Sequence, residues 1–484
     1  MRPGSREREG WSMNRILLIL HLAGMALLSG GCAIRPPENR LGAVAADTPT
    51  RWVASGAAQA GIDQHWIKRF GDDDLSDLVD EAMKNNPDLR ISAERVRRAQ
   101  ASARLAATRR DPRVEGRVNG ILQKQRFMGF PLSLGSYTSD SYGASVGINW
   151  ELDVWGRVLA SQRAAFGDYQ VQQQEYRAAR ASLAAQVTRA WFALGEANDQ
   201  IRLAEAAILV REKIVQSVRE RFAQALVEEG GLASQLRLAE TDLASSRASV
   251  ARWRAERERA LRQVELLAGR YPRGKALSQR GLPKVPASPP AGLPSSLLLR
   301  RPDILAAERR YAAAGERSKA AVLARYPSFS LTGSRGTSSD ALSGVLDSSL
   351  GVWSLAGGVV QPLLAGRRLR EEANVAAQDE KIALRELQRV VLRSFGEVEQ
   401  ALVAESYYAK RQSAVAESAR LANEAASAAI VDFSDGAVDA LTLLSAQDRQ
   451  VQTAFQLAEL LRMRLENRVN LHLALGGDFE VRGK

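Results

Sequence analysis

The chain has one cysteine, Cys32, in 484 residues, so no disulfide can close within it. Of its three histidines, His21 falls in the leader described below, while His65 and His472 stand isolated. With no second cysteine, a His/Cys metal site is not expected. There is no phosphate loop and no HExxH pair, so an enzyme is the least expected class and no cofactor is implied. Beyond residue 32 no stretch approaches the roughly 18 apolar residues of a spanning helix, and mean hydropathy is −0.23. Proline is missing from Gly156 until Pro272, and glycine is sparse as far as Gly230-Gly231. That removes the two residues that break helices. The formal charge of +12 invites a nucleic-acid partner. Its arginines, however, alternate with Glu and Asp along helices, as from Arg252 to Arg262, which is the pattern of a solvated face.

What is present begins with strict alternation. Tyr142, Ala144, Val146, Ile148, Trp150, Leu152 and Val154 fall on one face; Gly143, Ser145, Gly147, Asn149, Glu151 and Asp153 fall on the other. A period of two is a strand, and one apolar face against one small or charged face suits a membrane β-strand of roughly 9–11 residues. At Gly156 the period changes. Ile201, Ile208, Val215 and Phe222 recur every seventh residue, with Ala204, Arg211, Val218 and Ala225 three places after each. This is a heptad seam, leaky at Arg211. A helix from Gly156 to Glu229 would be on the order of 110 Å long, which no compact globule contains.

Residues 13–32 read as a signal peptide: Arg15, an apolar run, then small residues ending at Cys32. Translation starts at Met1 or Met13. Leu28-Ser29-Gly30-Gly31-Cys32 resembles the bacterial lipobox, with the aliphatic residue one place early. That resemblance makes Cys32 the lipidated N-terminus, and Ala33 after it implies delivery to the outer membrane. Ordinary signal-peptidase cleavage, with Cys32 incidental, is the alternative.

The remainder is a duplication. Helix is expected from Leu75 to about Arg110, with Asn86-Pro87-Asp88 marking a break. A second alternating run, Val114–Leu122, makes a hairpin with the Tyr142 strand across a loop at Gln123–Asp140. The long helix turns at Gly230-Gly231 and returns from Leu232 to Leu267. After a linker at 271–300 with six prolines, Pro302-Asp303-Ile304 restarts the pattern of Pro87-Asp88-Leu89. Phe329, Leu331 and Gly333 alternate, a loop follows at Gly336–Ser348, and a strand is expected over Leu350–Gln361. A long helix then runs to about Asp432, turns at Gly436 and returns to Gly476-Gly477. Gly156 and Gly366 mark the strand-to-helix junctions. The divisions are 1–31 leader, 32–65 anchored lead, 66–270 first repeat, 271–300 linker, 301–477 second repeat and 478–484 tail. Four strands cannot close a barrel, and open edges are not tolerated in lipid, so several chains must contribute.

Leu298-Leu299-Arg300-Arg301-Pro302-Asp303-Ile304 resembles a signature of outer-membrane efflux proteins of the TolC superfamily, specifically the lipoprotein branch serving resistance–nodulation–division (RND) pumps. Trp150-Glu151-Leu152-Asp153-Val154-Trp155-Gly156-Arg157 and Leu473-Ala474-Leu475-Gly476-Gly477 are further markers. The resemblance implies an α+β membrane protein. Its four strands per chain would join a homotrimeric twelve-stranded barrel, continued by a long periplasmic helical barrel. The implied partners are a periplasmic adaptor and an inner-membrane RND pump. The family's tunnel narrows at the turn before its last helix, here Phe433–Arg449. Gate candidates are Asp439, Asp435, Thr442, Ser445 and Asp448, with Gly231 and Gly436 as tip turns. Where the motif usually reads Leu-Asp-Ala-Gln-Arg, this chain has Leu444-Ser445-Ala446-Gln447-Asp448. For Asp439, gate and helix cap are equal readings; for Asp435 the cap is ahead. Arg113, Glu115, Arg117, Glu151 and Asp153 are expected to line the pore. A type I protein-secretion duct and a poreless coiled-coil scaffold lipoprotein are the alternatives to an efflux channel.

Overall fold

A computed structural model of the chain describes residues 40, 42, 49–54, 66–128, 133–225, 233–275, 281–292 and 294–477. The leader, Cys32, His65 and Gly231 lie outside the described residues. In chain order, a 3-10 turn at Trp66–Phe70 precedes α1 (Asp73–Asn85) and α2 (Pro87–Ala107). Then come β1 (Arg113–Met128), β2 (Ser133–Leu152), α3 (Arg157–Ala225) and α4 (Ala233–Leu267). The second half gives α5 (Pro302–Leu323), β3 (Ser328–Ser339), β4 (Gly351–Val360), α6 (Gly366–Ser434) and α7 (Ala440–Ala474).

The duplication is metric as well as topological. Both α3 and α6 have 69 residues, and both α4 and α7 have 35. At 1.5 Å per residue the long helices are about 100 Å rods. They pack in one layer, in the order α2, α3, α5, α6 near the sheet and α4, α3, α7, α6 at the far end. The heptad seam is the contact: Ile201, Ala204, Arg211, Val215 and Val218 of α3 are all buried. Each return helix closes the same way. Gly269 and Gly476 take φ of 73° and 71°. The next amide then bonds back five residues, from Arg270 to Glu265 O and from Gly477 to His472 O.

The four strands form one antiparallel sheet in the order β1-β2-β3-β4. The first hairpin is longer than the alternation indicates: β1 runs on to Met128 and β2 starts at Ser133, where a loop is expected. Alternation reports only the rows that need an apolar face. The Gln123–Ser139 and Lys124–Thr138 rows lie beyond them, yet their backbones still pair. In the same way β3 extends to Ser339, past the expected loop start at Gly336. Gly143-Ala144-Ser145-Val146-Gly147 has the spacing of a serine-nucleophile elbow, but it lies inside β2, with Ser145 opposite Arg117 and Gly336. An elbow needs a strand-to-helix turn.

The Arg301-Pro302-Asp303 motif is a clamp. Arg301 is buried and donates to Asp303 (2.7 Å), to Glu397 of α6 (2.7 Å) and to the carbonyl of Ala474 at the end of α7 (3.1 Å). Pro302 opens α5, and Asp303 accepts from its own helix at Ile304 N. One guanidinium thus ties the start of α5 and the end of α7 to the middle of α6. Replacing it by methionine is expected to destabilise the protein by about 2 kcal/mol, a modest figure because both carboxylates keep contact with water. Thermal unfolding of Arg301→Met against the parent checks this.

Candidate functional site: the duct wall and the far tip

Register fixes the two faces of the sheet. Val114, Ile148, Gly333 and Leu355 form one row; Leu152, Phe329 and Val359 form another on the same side. From Leu152 to Tyr142 this apolar side spans about eleven residues of strand, the length that crosses a hydrocarbon core. Arg335, opposite Val146 and Trp353, is its exception, and the stem of an arginine can carry its head toward the interface. On the other side stand Arg113, Glu115 and Arg117, opposite Asn149, Gly147 and Ser145, then Thr332 and Ser334. Ser334 and Ser354 hydroxyls bond at 2.8 Å. Glu115 and Arg117 lie 3.8 Å apart, and Glu151 pairs with Arg157 of α3 at 2.5 Å.

Asp153 departs from the strand expectation. β2 ends at Leu152, and the Asp153 carboxylate accepts from Val158 N (2.9 Å) and Leu159 N (2.7 Å). The first amides of a helix have no partner within it, so the acid is used there as a cap. Gly156 holds φ 81° in this turn. Gly366 simply opens α6. Trp150 Nε1 donates to Arg110 O and Trp155 Nε1 to Pro327 O, each at 2.8 Å. These indoles stand where sheet meets helices, as in an interfacial aromatic girdle.

At the opposite end, α6 closes on Gly436 (φ 76°), with Ala437 N bonding to Asp432 O at 2.8 Å. Asp435 is the C-cap of α6. Asp439 is the N-cap of α7, accepting from Thr442 N at 2.8 Å, and that bond holds its carboxyl below the usual range. Thr442, Ser445 and Asp448 lie on the exposed side of α7. Ile214, Val218, Leu243, Phe433, Leu443 and Leu444 form the apolar core of the tip.

Two arginines tie this core together, and sequence reasoning assigned neither a role. Arg221 lies over the Phe433 ring, 4.0 Å from its centroid, and donates to Phe433 O. Arg211, the leak in the seam, donates to Ser246 Oγ (2.6 Å), Asp242 O (2.9 Å) and Asp448 Oδ1 (3.2 Å). It therefore joins α3, α4 and α7. Burial holds the Asp242 carboxyl above its usual range, with Arg211 opposing that and Asp448 adding to it. A charged residue at a core heptad position was the available signal.

The family model for "Outer membrane efflux protein" matches residues 78–270 and 293–477, most of both repeats. The chain belongs to the outer membrane efflux protein family. It is 31% identical to outer membrane protein OprJ of Pseudomonas aeruginosa over 94% of this chain and 95% of that one. It is 26% identical to the cation efflux system protein CusC of Escherichia coli K12, over 94% and 98%. The outer-membrane channel OprN superposes with a TM-score of 0.84 at 25% identity, covering 92% of this chain and 99% of that one. The open state of the Neisseria gonorrhoeae MtrE outer membrane channel gives 0.79 at 26%, covering 92% and 98%. Members of this family are channel proteins of the outer membrane that extend into the periplasm. As an outer membrane efflux protein, this chain forms a trimer, whose twelve strands close the barrel that one sheet leaves open.

Asp439→Ala should loosen the start of α7 while leaving its middle intact. Amide exchange at Leu441–Leu443 is expected to quicken at neutral pH, with little change near Leu460. The Asp439 carboxyl is depressed in the folded protein, so its contribution is present at neutral pH and fades as pH falls through its folded pKa. The parent and the variant should therefore converge in acid.

Proposed function

We propose that this protein is the outer-membrane channel of a tripartite efflux system. It passively conducts compounds delivered by an inner-membrane RND pump and a periplasmic adaptor. The observation that carries this reading is one sheet with an apolar side, a polar side and two unpaired edges, standing on a layer of 69-residue helices. A scaffold has no use for such a sheet. The relatives' names give cations for CusC, solvents for SrpC and toluene for TtgI. Unlike cargoes on one architecture support a duct that takes what its pump delivers.

Cys32 carries the lipid anchor in this reading. Trp52 is buried, its indole donating to Ala291 O and Gly292 O, and Glu399 accepts from Val53 N and Ala54 N. Further toward the N-terminus, Arg40 bonds to Glu308 and to Glu380 of α6. Glu380 is about 20 Å along α6 from its membrane-side start at Gly366. The eight-residue step from Cys32 to Arg40 reaches at most about 28 Å, enough to set the cysteine at the lipid surface.

The gate in this reading is the tip, with Thr442 and Ser445 facing open space, Asp435 and Asp439 shaping the turn, and Asp448 latched to Arg211. Single-channel recording from the purified trimer in a planar bilayer should show discrete pores. Arg211→Met frees α7 from α3 and α4 and is expected to raise unitary conductance, while Asp439→Ala has the smaller effect. Folded trimers that never conduct would overturn the duct. Cys32→Ser should abolish palmitate incorporation and leave the pores intact.

A further inference from the structure

The inside of the duct can be identified on the helices as well as on the sheet. Arg113, Asn149 and Glu151 of the sheet's polar side wall a cavity together with Arg157, Val158 and Ser161 of α3. From Ser161, the positions Ala165, Asp168, Gln172 and Glu175 follow at alternating steps of four and three, so they continue the same face of α3. That face borders a groove whose other walls carry Arg95 and Arg98 of α2 and Arg310 and Arg317 of α5. A second observation gives the same orientation. The lead toward Cys32 crosses α5 at Glu308, Tyr311 and Gly315, where Arg40 bonds to Glu308, lies over the Tyr311 ring at 5.1 Å and rests against Gly315. Arg310 and Arg317 stand on the other side of that helix, away from the lead. A segment tied to the surrounding lipid runs outside, so the groove opens inside.

Arg310 pairs with Glu175 and Arg317 with Asp168. Among the described residues no carboxylate pairs with Arg95 or Arg98. The groove thus carries two arginines in excess per chain, and so six around the trimer. Directly above it, Arg109, Arg113 and Arg157 face only Asp111 and Glu151. A water-filled tube with low-dielectric walls focuses such a field, and the Debye length of about 8 Å at physiological salt leaves it effective across the wall region.

We propose that the upper tunnel, just below the barrel, is a basic vestibule that concentrates anions and favours cargo bearing carboxylate or phosphate groups. Arg95 and Arg98 are its free cations. This rests on the duct reading above, and the test separates the two. Reversal potentials are measured for the purified trimer across a potassium chloride gradient. The parent protein should pass chloride in preference to potassium. The double variant Arg95→Gln/Arg98→Gln should lose at least half of that preference, and Arg95→Lys/Arg98→Lys should keep it. Inorganic tripolyphosphate on one side should reduce the current through the parent and spare the glutamine variant. Both positions are exposed within the single chain, and size-exclusion chromatography checks that the variants form trimers. Pores that prefer potassium, or glutamine variants indistinguishable from the parent, would overturn the vestibule and leave the duct standing. Trimers without pores would overturn both.

Discussion

Backbone amides and carbonyls that enter a bilayer must all find partners in protein, and a four-stranded sheet leaves two edges without any. Most of the architecture follows from that one constraint. β1 and β4 can be satisfied only by neighbouring chains, so the membrane part exists as a closed ring or not at all. Closure turns one side of every strand toward lipid and the other toward water, and the register rows divide the side chains accordingly. The helices inherit this geometry. Because each chain arrives at the ring with two hairpins, it leaves with two long rods, and their 69-residue lengths match because both must reach the same distance from one membrane.

A tube made from a single layer of helices divides its dry interior into separate apolar clusters: one where Trp66–Phe70 and α1 pack on α3, α4 and α7, one joining Trp52 to α5, α6 and α7, and one at the tip. Elsewhere the exposed faces of the rods are wetted and the contacts between neighbours are narrow seams. This accounts for the mean hydropathy of −0.23 and for the arginine–glutamate pairs that cover α3, α4 and α6. It also makes charges at a seam consequential. Arg211 fills a core heptad position and is buried, so its guanidinium has to be satisfied by α4 and α7 rather than by water. A purely apolar contact there would hold the helices with less dependence on angle. Three directional bonds from one head group instead specify a single arrangement of α3, α4 and α7 at the tip.

Charge on the wetted faces carries a different kind of information, because inside and outside meet different partners. The outer face of α5 holds the lead through Glu308 and Gly315, whereas its inner face presents Arg310 and Arg317 to the groove. Two residues' difference in position separates an anchoring contact from the wall of a passage. Relatives whose names span cations and solvents share this frame, so the fold by itself specifies no cargo.

Local order was set by the residues alone. Alternation over Tyr142–Leu152, the proline-free heptads after Gly156, and the paired Pro87-Asp88 and Pro302-Asp303 starts determine strands, rods and duplication, because each is a periodicity of covalent geometry. Turn chemistry was equally local: Gly436 and Asp439 end one helix and begin the next wherever they are placed. Tertiary structure decided what periodicity does not encode. It extended β1 and β2 past their apolar rows, since backbone pairing needs no apolar side chain, and it moved Asp153 from the pore wall to a helix cap. It joined Arg211 to Asp448 across 237 positions of sequence, and it set Arg95 and Arg98 on the same wall as Arg310 and Arg317. Those side chains belong to different helices, and only the packing of the rods brings them to one face of the tube.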